Sequence, residues 1–411
     1  MTELGEIPTE WEIKRLDDIR DKNDKYSFVG GPFGSDLKSE HYTDKGIRVI
    51  QLQNICEGYF NNDYKIYTSI EKADQLIKCN IYPDELIIAK MAEPVARACK
   101  IPNNEKRYLM CSDGIRLVVD KQFNNTDYIM YSINSEYFRK NAILNSTGST
   151  RMRIGLNELK SLPIIVPKLE EQKKIASILS TVDEQIDNVD ALIEKNKELK
   201  KGLMQTLLTK GIGHTKFKKT EIGEIPEEWE VKKLEDVCEI LDSKRIPLNE
   251  KQRLTMKGDI PYYGANSIVD YINNYLFDST LILLAEDGGN FFEFKEKPIA
   301  FYVEGKCWVN NHAHVLEAKI AESSKWIFYN LVHRDLSNIV QGGTRAKLNQ
   351  KDLRNIIVTF PKLEEQQKIA SILSEVDNKI EGYEDKKKKL EELKKGLMQQ
   401  LLSGKIRVIA D

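Results

Sequence analysis

The amino-acid sequence predicts an α+β fold: two α/β modules in tandem, separated by two long helices that pack as an antiparallel coiled coil, with a pseudo-twofold internal repeat. Three observations predict this fold. The chain repeats a frame of entry segment and helix, each helix carries a heptad pattern, and the segments between the frames mix strand and helix signals. At 411 residues the chain is also too long for one ordinary core.

The repeated frame has two parts. The entry segment TELGEIPTEWEIKRLDDI begins at Thr2 and recurs from Thr220 as TEIGEIPEEWEVKKLEDV. The second block, PKLEEQKKIASILSTV from Pro167, recurs from Pro361 as PKLEEQQKIASILSEV, with 14 of 16 positions identical. Between the frames, over about residues 20–145 and 238–340, almost no alignment is found. Identical frames around dissimilar inserts indicate a frame that does one task twice and inserts that do different ones.

Each frame continues into a long helix without proline, in which apolar residues recur in alternating steps of four and three. The first series is Ile175, Leu179, Val182, Ile186, Val189, Ile193, Leu203 and Leu207, interrupted by polar Asn196 and Lys200. The second is Ile369, Leu373, Val376, Ile380, Tyr383, Leu390, Leu397 and Leu401, interrupted by Lys387 and Lys394. About 40 residues at a rise of about 1.5 Å give a helix of about 60 Å.

A stripe this narrow needs a partner helix, and the nearest candidate is the other copy in the same chain. Antiparallel pairing would place the two modules at opposite ends of a rod, related by a pseudo-twofold axis, and Asn196 on the apolar seam would help to set the register. The alternative is a generic coiled coil between two chains.

These patterns place the boundaries. The first module covers residues 1–166, and the first long helix with its linker covers 167–219. The second module covers 220–360, and the second long helix covers 361–411.

The modules carry strand signals with one helix signal each. In the first, strands are predicted at IRVIQLQNI from Ile47, ELIIAK from Glu85 and GIRLVV from Gly114, and a helix over TDYIMYSINSEYFRKNAI from Thr126. In the second, strands are predicted at STLILLAE from Ser279 and KPIAFYV from Lys297, and a helix over SSKWIFYNLVHR from Ser323.

Composition limits the class of protein. There is no run of 18 apolar residues, so no membrane partner is expected, and the acidic, polar segment from Met1 to Trp11 is unlike a secretory signal. Six cysteines occur without a CxxC pair, which favours reduced thiols, a cytoplasmic location and no zinc site. A net charge of −2 neither announces nor excludes a nucleic-acid binder, because one face can be basic while the whole is neutral.

The usual catalytic motifs are missing. The chain has no Pro-Pro pair for an adenine-methyltransferase loop, no GxGxxG and no GxxxxGK(S/T), so no catalytic residue, cofactor site or metal site is predicted. Two alternatives stay open. One is a stand-alone nuclease using Asp278 or Asp287 with Glu293 and Lys295, and the other is a coiled-coil scaffold with no DNA role.

The layout resembles the specificity subunits of type I restriction-modification systems over essentially the whole chain. GPFGSDLK from Gly31 is similar to the opening of many of their recognition domains. YYGANSIVDYI from Tyr262, AEDGGN from Ala285 and VNNHAHVL from Val309 are similar to a second lineage. Both modules close alike, with GSTRMRIGLNELKSLPIIVPKLEEQ from Gly148 and GGTRAKLNQKDLRNIIVTFPKLEEQ from Gly342.

The resemblance implies a non-catalytic subunit that binds double-stranded DNA. Each module would be a target-recognition domain for one half of an asymmetric bipartite site. The paired helices would fix the spacer and dock two adenine-methyltransferase subunits, which carry S-adenosylmethionine. A restriction and translocase subunit would add to that assembly.

Polar residues that could contact DNA follow from their chemistry, since Arg and Lys bind phosphate or guanine while Gln and Asn pair with adenine. The candidates in the first module are Ser35, Lys38, Arg48, Gln51, Gln53, Asn54, Thr150, Arg151 and Arg153. Those in the second are Tyr262, Tyr263, Asn266, Asn310, Asn311, His312, His314, Thr344, Arg345 and Lys347.

Each group of candidates could also have a purely structural role without any DNA contact. The Gly-rich closing loops could be tight turns with solvated charges, and Arg48, Gln51 and Gln53 could lie on an ordinary sheet surface. His312 and His314 would share a face on a strand. Hydrogen bonding is preferred to metal binding for them, because no carboxylate or thiol stands nearby at ligand spacing.

Overall fold

The computed structural model describes residues 7–91, 93–148, 151–342 and 346–408. Residue contacts divide the chain into two compact units. Unit 1 comprises residues 1–189 and 386–411, and unit 2 comprises residues 190–385. Each unit therefore contains one module and a part of both long helices. None of the helices within the described residues is both long and apolar enough to cross a bilayer.

The first module has thirteen strands among its described residues. They are β1 (Glu12–Arg15), β2 (Phe28–Gly30), β3 (Tyr42–Thr43), β4 (Ile47–Ile50), β5 (Ile66–Thr68), β6 (Asn80–Ile81), β7 (Leu86–Ala89), β8 (Ala98–Lys100), β9 (Tyr108–Met110), β10 (Gly114–Leu117), β11 (Ser146–Thr147), β12 (Arg153–Ile154) and β13 (Pro163–Val166). Its helices are α1 (Ile70–Gln75), α2 (Thr126–Ile133), α3 (Glu136–Leu144) and α4 (Leu156–Ser161), and α5 (Leu169–Lys210) follows.

The second module has twelve strands among its described residues. They are β14 (Phe217–Thr220), β15 (Gly223–Pro226), β16 (Glu230–Lys233), β17 (Cys238–Ile240), β18 (Lys257–Tyr263), β19 (Ile268–Ile272), β20 (Phe277–Asp278), β21 (Leu281–Ala285), β22 (Ala300–Val303), β23 (Lys306–Val309), β24 (Ala313–Ala318) and β25 (Ile357–Phe360). Its helices are α6 (Leu234–Val237), α7 (Glu250–Thr255), α8 (Ser324–Leu331) and α9 (Gln350–Arg354), and α10 (Leu363–Leu401) follows.

The two modules share one strand topology although their sequences barely align. One sheet has the order β2-β10-β7-β8 in the first module and β17-β24-β21-β22 in the second. The other has the order β5-β4-β9-β6, extended by β3, and β19-β18-β23-β20. The entry segment of each frame pairs with the closing strand of its own module, β1 with β13 and β16 with β25.

The predicted elements are present, with two local corrections. The strand predicted from Ile47 ends at Ile50, because the Asn54 side chain accepts a 2.8 Å hydrogen bond from the Gln51 backbone and starts a short 3₁₀ turn. The helix predicted from Thr126 is two helices, α2 and α3. The Ser135 hydroxyl caps the second by accepting from the Phe138 backbone at 3.2 Å.

The long helices α5 and α10 begin within the repeated PKLEEQ blocks, as predicted. The apolar seam is buried or half-buried throughout. In unit 1, Lys394 of α10 pairs with Asp183 of α5 at 2.5 Å, and Arg407 pairs with Glu171 at 2.8 Å. Residue numbers thus rise along one helix as they fall along the other, so these segments run antiparallel.

Unit 2 repeats this arrangement with the helices exchanged. Lys200 of α5 pairs with Asp377 of α10 at 2.6 Å, and Ile212 donates its backbone N–H to Glu365 at 2.9 Å. Two of the lysines that interrupt the predicted seam, Lys200 and Lys394, therefore form ion pairs with the other long helix. Asn196, predicted to set the register, donates instead to the Leu192 carbonyl of its own helix at 2.7 Å.

The second repeated helix motif packs on the modules. GLMQQLL, from Gly396, buries Leu401 and Leu402 in the core of unit 1. GLMQTLL, from Gly202, packs its leucines against the core of unit 2. Each module thus covers part of its apolar surface with a helix that is not the one directly following it.

Candidate nucleic-acid interface

Among the described residues each module contains one pair of parallel strands, and polar segments follow both strands of the pair. In the first module β4 runs parallel to β9, with Ile50 opposite Met110. In the second β18 runs parallel to β23, with Tyr263 opposite Val309. Carboxyl ends of parallel strands meet at one edge, which is where α/β folds commonly bind ligands. We call this the carboxyl edge of each module.

The closing loop of each module is anchored beside this edge. In the first module Arg153 pairs with Met91, just after β7, and its Nη2 lies 2.7 Å from Asp113 Oδ1. Asp113 itself follows β9. The Arg153 side chain is half exposed.

The second module places Lys347 in the same way. Lys347 pairs with Asp287, just after β21, and its Nζ lies 3.4 Å from Glu286 Oε1. The predicted cations of the two closing loops therefore occupy equivalent places. Thr150, Thr344 and Arg345 lie outside the described residues.

The opening loop of the first module reaches the same edge. Gly31 donates its backbone N–H to the Gly114 carbonyl at 2.7 Å. A Cβ on Gly31 would lie 1.7 Å from the Cys111 carbonyl oxygen, so only glycine permits this approach. The loop carries Ser35 and Lys38, both exposed as expected of residues that contact DNA.

Two first-module candidates are interior residues. The guanidinium of Arg48 binds the Asn62 side chain and the carbonyls of Asn62 and Tyr64, the latter two at 3.1 Å. Asn54 donates to the Asn61 and Tyr64 carbonyls at 2.9 and 2.8 Å. Both side chains are buried and shape the loop over residues 61–64, because an unpaired carbonyl there would be costly.

The other candidates of the first module have side chains that remain at least partly exposed to solvent. Gln53 and Arg151 are exposed. Gln51 is half-buried, and its amide donates to the Tyr42 hydroxyl at 3.2 Å. Their position beside the carboxyl edge is compatible with DNA contact, which stays a prediction.

In the second module three loops meet at the carboxyl edge. The Asn266 amide donates to the Gly288 carbonyl at 2.9 Å and accepts from the Asn290 backbone at 3.2 Å. His312 Nδ1 lies 3.5 Å from Asp287 Oδ2, and its backbone N–H donates to Asn310 Oδ1 at 2.7 Å. Neighbouring Asn311 is exposed. The fold thus brings the predicted Asn and His residues together.

His314 is separate from this surface. The strand β24 begins at Ala313, so His312 lies in the preceding turn, and the expected shared face is wrong. His314 is buried, with Nδ1 2.7 Å from Asp242 Oδ2 and Nε2 2.8 Å from the Leu348 carbonyl. Both ring nitrogens of His314 therefore lie within hydrogen-bonding distance of an oxygen atom.

Carboxylates do surround His314, although the sequence places none at ligand spacing. Asp242, Glu286 and His314 form the one group of three potential metal ligands within 4.8 Å in the part of the chain that the structure describes. The Arg245 guanidinium already supplies a cation there, 2.7 Å from Glu286. Burial opposes ionisation of Asp242, but hydrogen bonding to His314 and the Arg245 charge outweigh it and lower the Asp242 pKa. The cluster is therefore a buried ion network.

Tyr262 also belongs to the interior. Its hydroxyl accepts the Leu248 backbone N–H at 3.0 Å, and the Arg253 guanidinium lies 5.4 Å from its ring centroid. Tyr263 is half-buried, and its carbonyl accepts from the Asn310 backbone at 3.1 Å. Of these two candidates only Tyr263 retains side-chain exposure of any size.

Sequence reasoning missed Asp113 and Phe33. Asp113 occupies the place after β9 that His312 occupies after β23, but CSDGI and NNHAH share no pattern. Phe33 is 75% exposed at the tip of the opening loop. An aromatic residue between Pro32 and Gly34 was the available signal for it.

The residues of the alternative nuclease reading have other partners. Glu293 pairs with Lys297 at 2.6 Å, and the Lys295 ammonium lies 5.8 Å from the Phe294 ring centroid.

Burial raises the pKa of Cys111, beside the carboxyl edge, to about 11, so this thiol is a poor nucleophile at neutral pH.

Comparison with known proteins defines the class. The chain belongs to the family of the type I restriction modification DNA specificity domain, whose model matches residues 8–200 and again residues 226–392. The two matched stretches correspond to the two modules and the long helices that follow them.

Relatives and solved structures agree. The type I restriction enzyme MjaVIII specificity subunit of Methanocaldococcus jannaschii is 31% identical over 332 residues, which cover 74% of this chain and 75% of the relative. The MjaIX specificity subunit of the same organism is 25% identical over 439 residues, covering 99% and 96%. The type I restriction-modification S subunit from M. genitalium has the same fold, with a TM-score of 0.61 at 17% identity over 97% of this chain and 96% of that one.

Proposed function

We propose that this chain is the DNA-specificity subunit of a type I restriction-modification complex, in which each module recognises one half of an asymmetric bipartite site. It is a binding subunit, and the chemistry belongs to its partners. Similarity to specificity subunits over 74% and 99% of the chain supports this proposal.

One observation carries the proposal: two modules of the same topology present different side chains at equivalent carboxyl edges. The first offers Gln51, Asp113 and Arg153 there. The second offers Asn311, His312 and Lys347. A common scaffold with different donors and acceptors is what recognition of two unlike half-sites requires, because base edges differ in their donor and acceptor pattern.

The repeated frame fits the second part of the proposal. Both copies of the frame would present the same surface, so two identical methyltransferase subunits can dock, each bringing its own S-adenosylmethionine. The long helices would set the spacer, since their length does not depend on the modules. A restriction and translocase subunit would complete the assembly.

The experiment is a methylome. The chain is expressed with its methyltransferase partner, the host DNA is sequenced, and modified adenines are mapped. A gapped two-part motif that disappears when this chain is omitted is expected. No motif, with a folded and cofactor-supplied methyltransferase, would overturn the proposal, and magnesium-dependent cleavage by the purified chain alone would favour a nuclease instead.

A further inference from the structure

In unit 1 three side chains from three elements form a closed contact. The Tyr131 hydroxyl of α2 donates to Asp183 Oδ2 of α5 at 2.7 Å. Asp183 Oδ1 lies 2.5 Å from Lys394 Nζ of α10. The same ammonium lies 5.8 Å from the centroid of the Tyr131 ring. We call these residues the first tyrosine cluster.

Unit 2 contains a second tyrosine cluster with the same geometry. The Tyr329 hydroxyl of α8 donates to Asp377 Oδ2 of α10 at 2.7 Å. Asp377 Oδ1 lies 2.6 Å from Lys200 Nζ of α5, and this ammonium is 5.9 Å from the Tyr329 ring centroid. Each cluster thus joins a module to both long helices.

The residues of each tyrosine cluster come from two different parts of the sequence, the repeated frame and the insert. The aspartates and lysines belong to the duplicated frame, at matching positions of the two helices. Tyr131 and Tyr329 belong to inserts that otherwise do not align. A buried phenol facing the frame aspartate is therefore a feature that two dissimilar modules share.

The hydrogen bond of the phenol adds a directional contact to an otherwise apolar packing interface. In unit 1 the module packs on the end of α10 and the residue after it through Leu401 and Leu402. Apolar contact is non-directional and tolerates sliding, whereas a hydrogen bond to a charged group fixes distance and angle. Burial, followed by the hydrogen bond to Asp183, raises the Tyr131 pKa well above its usual value, so the phenol remains a donor.

Tyr329 is held in the same state. Burial is the largest effect and raises its pKa; the hydrogen bond with Ser374 lowers the pKa, and the hydrogen bond to Asp377 together with the Asp377 charge raises it. Both phenols therefore keep the proton that they donate to their aspartates at neutral pH.

We propose that the two tyrosine clusters are positioning devices, each of which locks the angle of one recognition module on its helix pair and so restricts the spacer length that the protein accepts. This inference rests on the proposed function, and it assigns spacer selectivity to named side chains as well as to helix length. The tyrosines are positioning residues and contact no DNA.

The test measures methylation by the chain in complex with its methyltransferase. The substrates are duplexes with the native spacer and with spacers one base pair longer or shorter. Tyr131→Phe, Lys394→Gln, Tyr329→Phe and Lys200→Gln are each expected to raise the relative rate on the altered spacers about tenfold, the ratio that one hydrogen bond to a charged group corresponds to. The half-site sequences should not change.

Matched control variants remove a lysine charge from the position directly after each cluster lysine. Lys395→Gln and Lys201→Gln alter exposed lysines adjacent to the cluster lysines, and they should keep the wild-type ratio. Thermal unfolding is followed for every variant. A variant that loses stability but keeps the wild-type ratio, or a control that widens the spacer equally, overturns the inference. A wild-type complex that yields no gapped motif would instead overturn the proposed function.

Discussion

The Arg407 guanidinium binds both carboxylate oxygens of Glu171, with Nε 2.8 Å from Oε1 and Nη2 3.0 Å from Oε2. Glu171 also accepts the indole N–H of Trp11 at 2.9 Å. This single carboxylate, in the first turn of α5, therefore holds the entry segment and the segment after α10 together in unit 1.

The Glu171 contact predicts acid sensitivity. Burial alone would raise the Glu171 pKa, but hydrogen bonds from Arg407 and Trp11 outweigh it and lower the pKa. A lowered native pKa stabilises the fold above the unfolded pKa, and this stabilisation is lost as pH falls through the native value. Arg407→Ala should therefore move acid unfolding of unit 1 to higher pH.

Hydrogen exchange of residues 169–189 as a function of pH measures this effect. Lys405→Ala, which removes an exposed charge two residues away, is the control and should leave the midpoint in place. An unchanged midpoint in Arg407→Ala would show that the pair does not contribute to the stability of unit 1.

Tyr262→Phe separates structure from recognition. The variant loses the hydroxyl that accepts from Leu248, so unfolding should become easier by about 1 kcal/mol. The methylated motif should stay the same, because the ring is buried. Chemical denaturation and a methylome measure the two effects, and a changed half-site would return Tyr262 to the set of DNA contacts.

Arg153→Ala tests the carboxyl edge of the first module. Loss of one phosphate contact should weaken DNA binding and lower the slope of log K against log salt by about 0.9. Lys121→Ala removes an exposed charge beyond the opposite end of β10 and should leave the slope unchanged. Equal slopes for Arg153→Ala and the wild type in a salt titration would remove Arg153 from the interface.

A paired heptad deletion tests whether the length of the long helices sets the length of the DNA spacer. Removing 186–192 from α5 and 380–386 from α10 keeps Asp183 opposite Lys394 and Lys200 opposite Asp377. Each helix shortens by about 10 Å, which corresponds to about three base pairs. The methylome should show a shorter spacer with both half-sites intact. An unchanged spacer would contradict the hypothesis that helix length sets the spacer.

The sequence predicted the frame well because heptads and repeats are local signals. The helix bounds, the tandem modules and the family all follow from Pro167, Pro361 and the segments around them. The shared strand topology of the modules could not be predicted from the sequence. Strands β4 and β9 pair residues far apart in the chain, such as Arg48 with Tyr108, and no common motif marks the equivalent pair in the second module.

The candidate site was only partly predictable for a similar reason. Polar residue type does not distinguish Arg48, which holds a loop, from Arg153, which faces solvent. Burial is set by contacts distant in sequence. His314 shows this most directly, because its carboxylate partner Asp242 lies 72 positions away.

The packing of Leu401 and Leu402 into the core of unit 1 orders events on the ribosome. The helix segment that covers the first module is translated some 200 residues after that module, a delay of roughly 10–40 s at usual elongation rates. The segment of α5 that covers the second module is made before that module. The earlier-synthesised unit is thus completed later, and until then part of its apolar surface stays uncovered on the nascent chain.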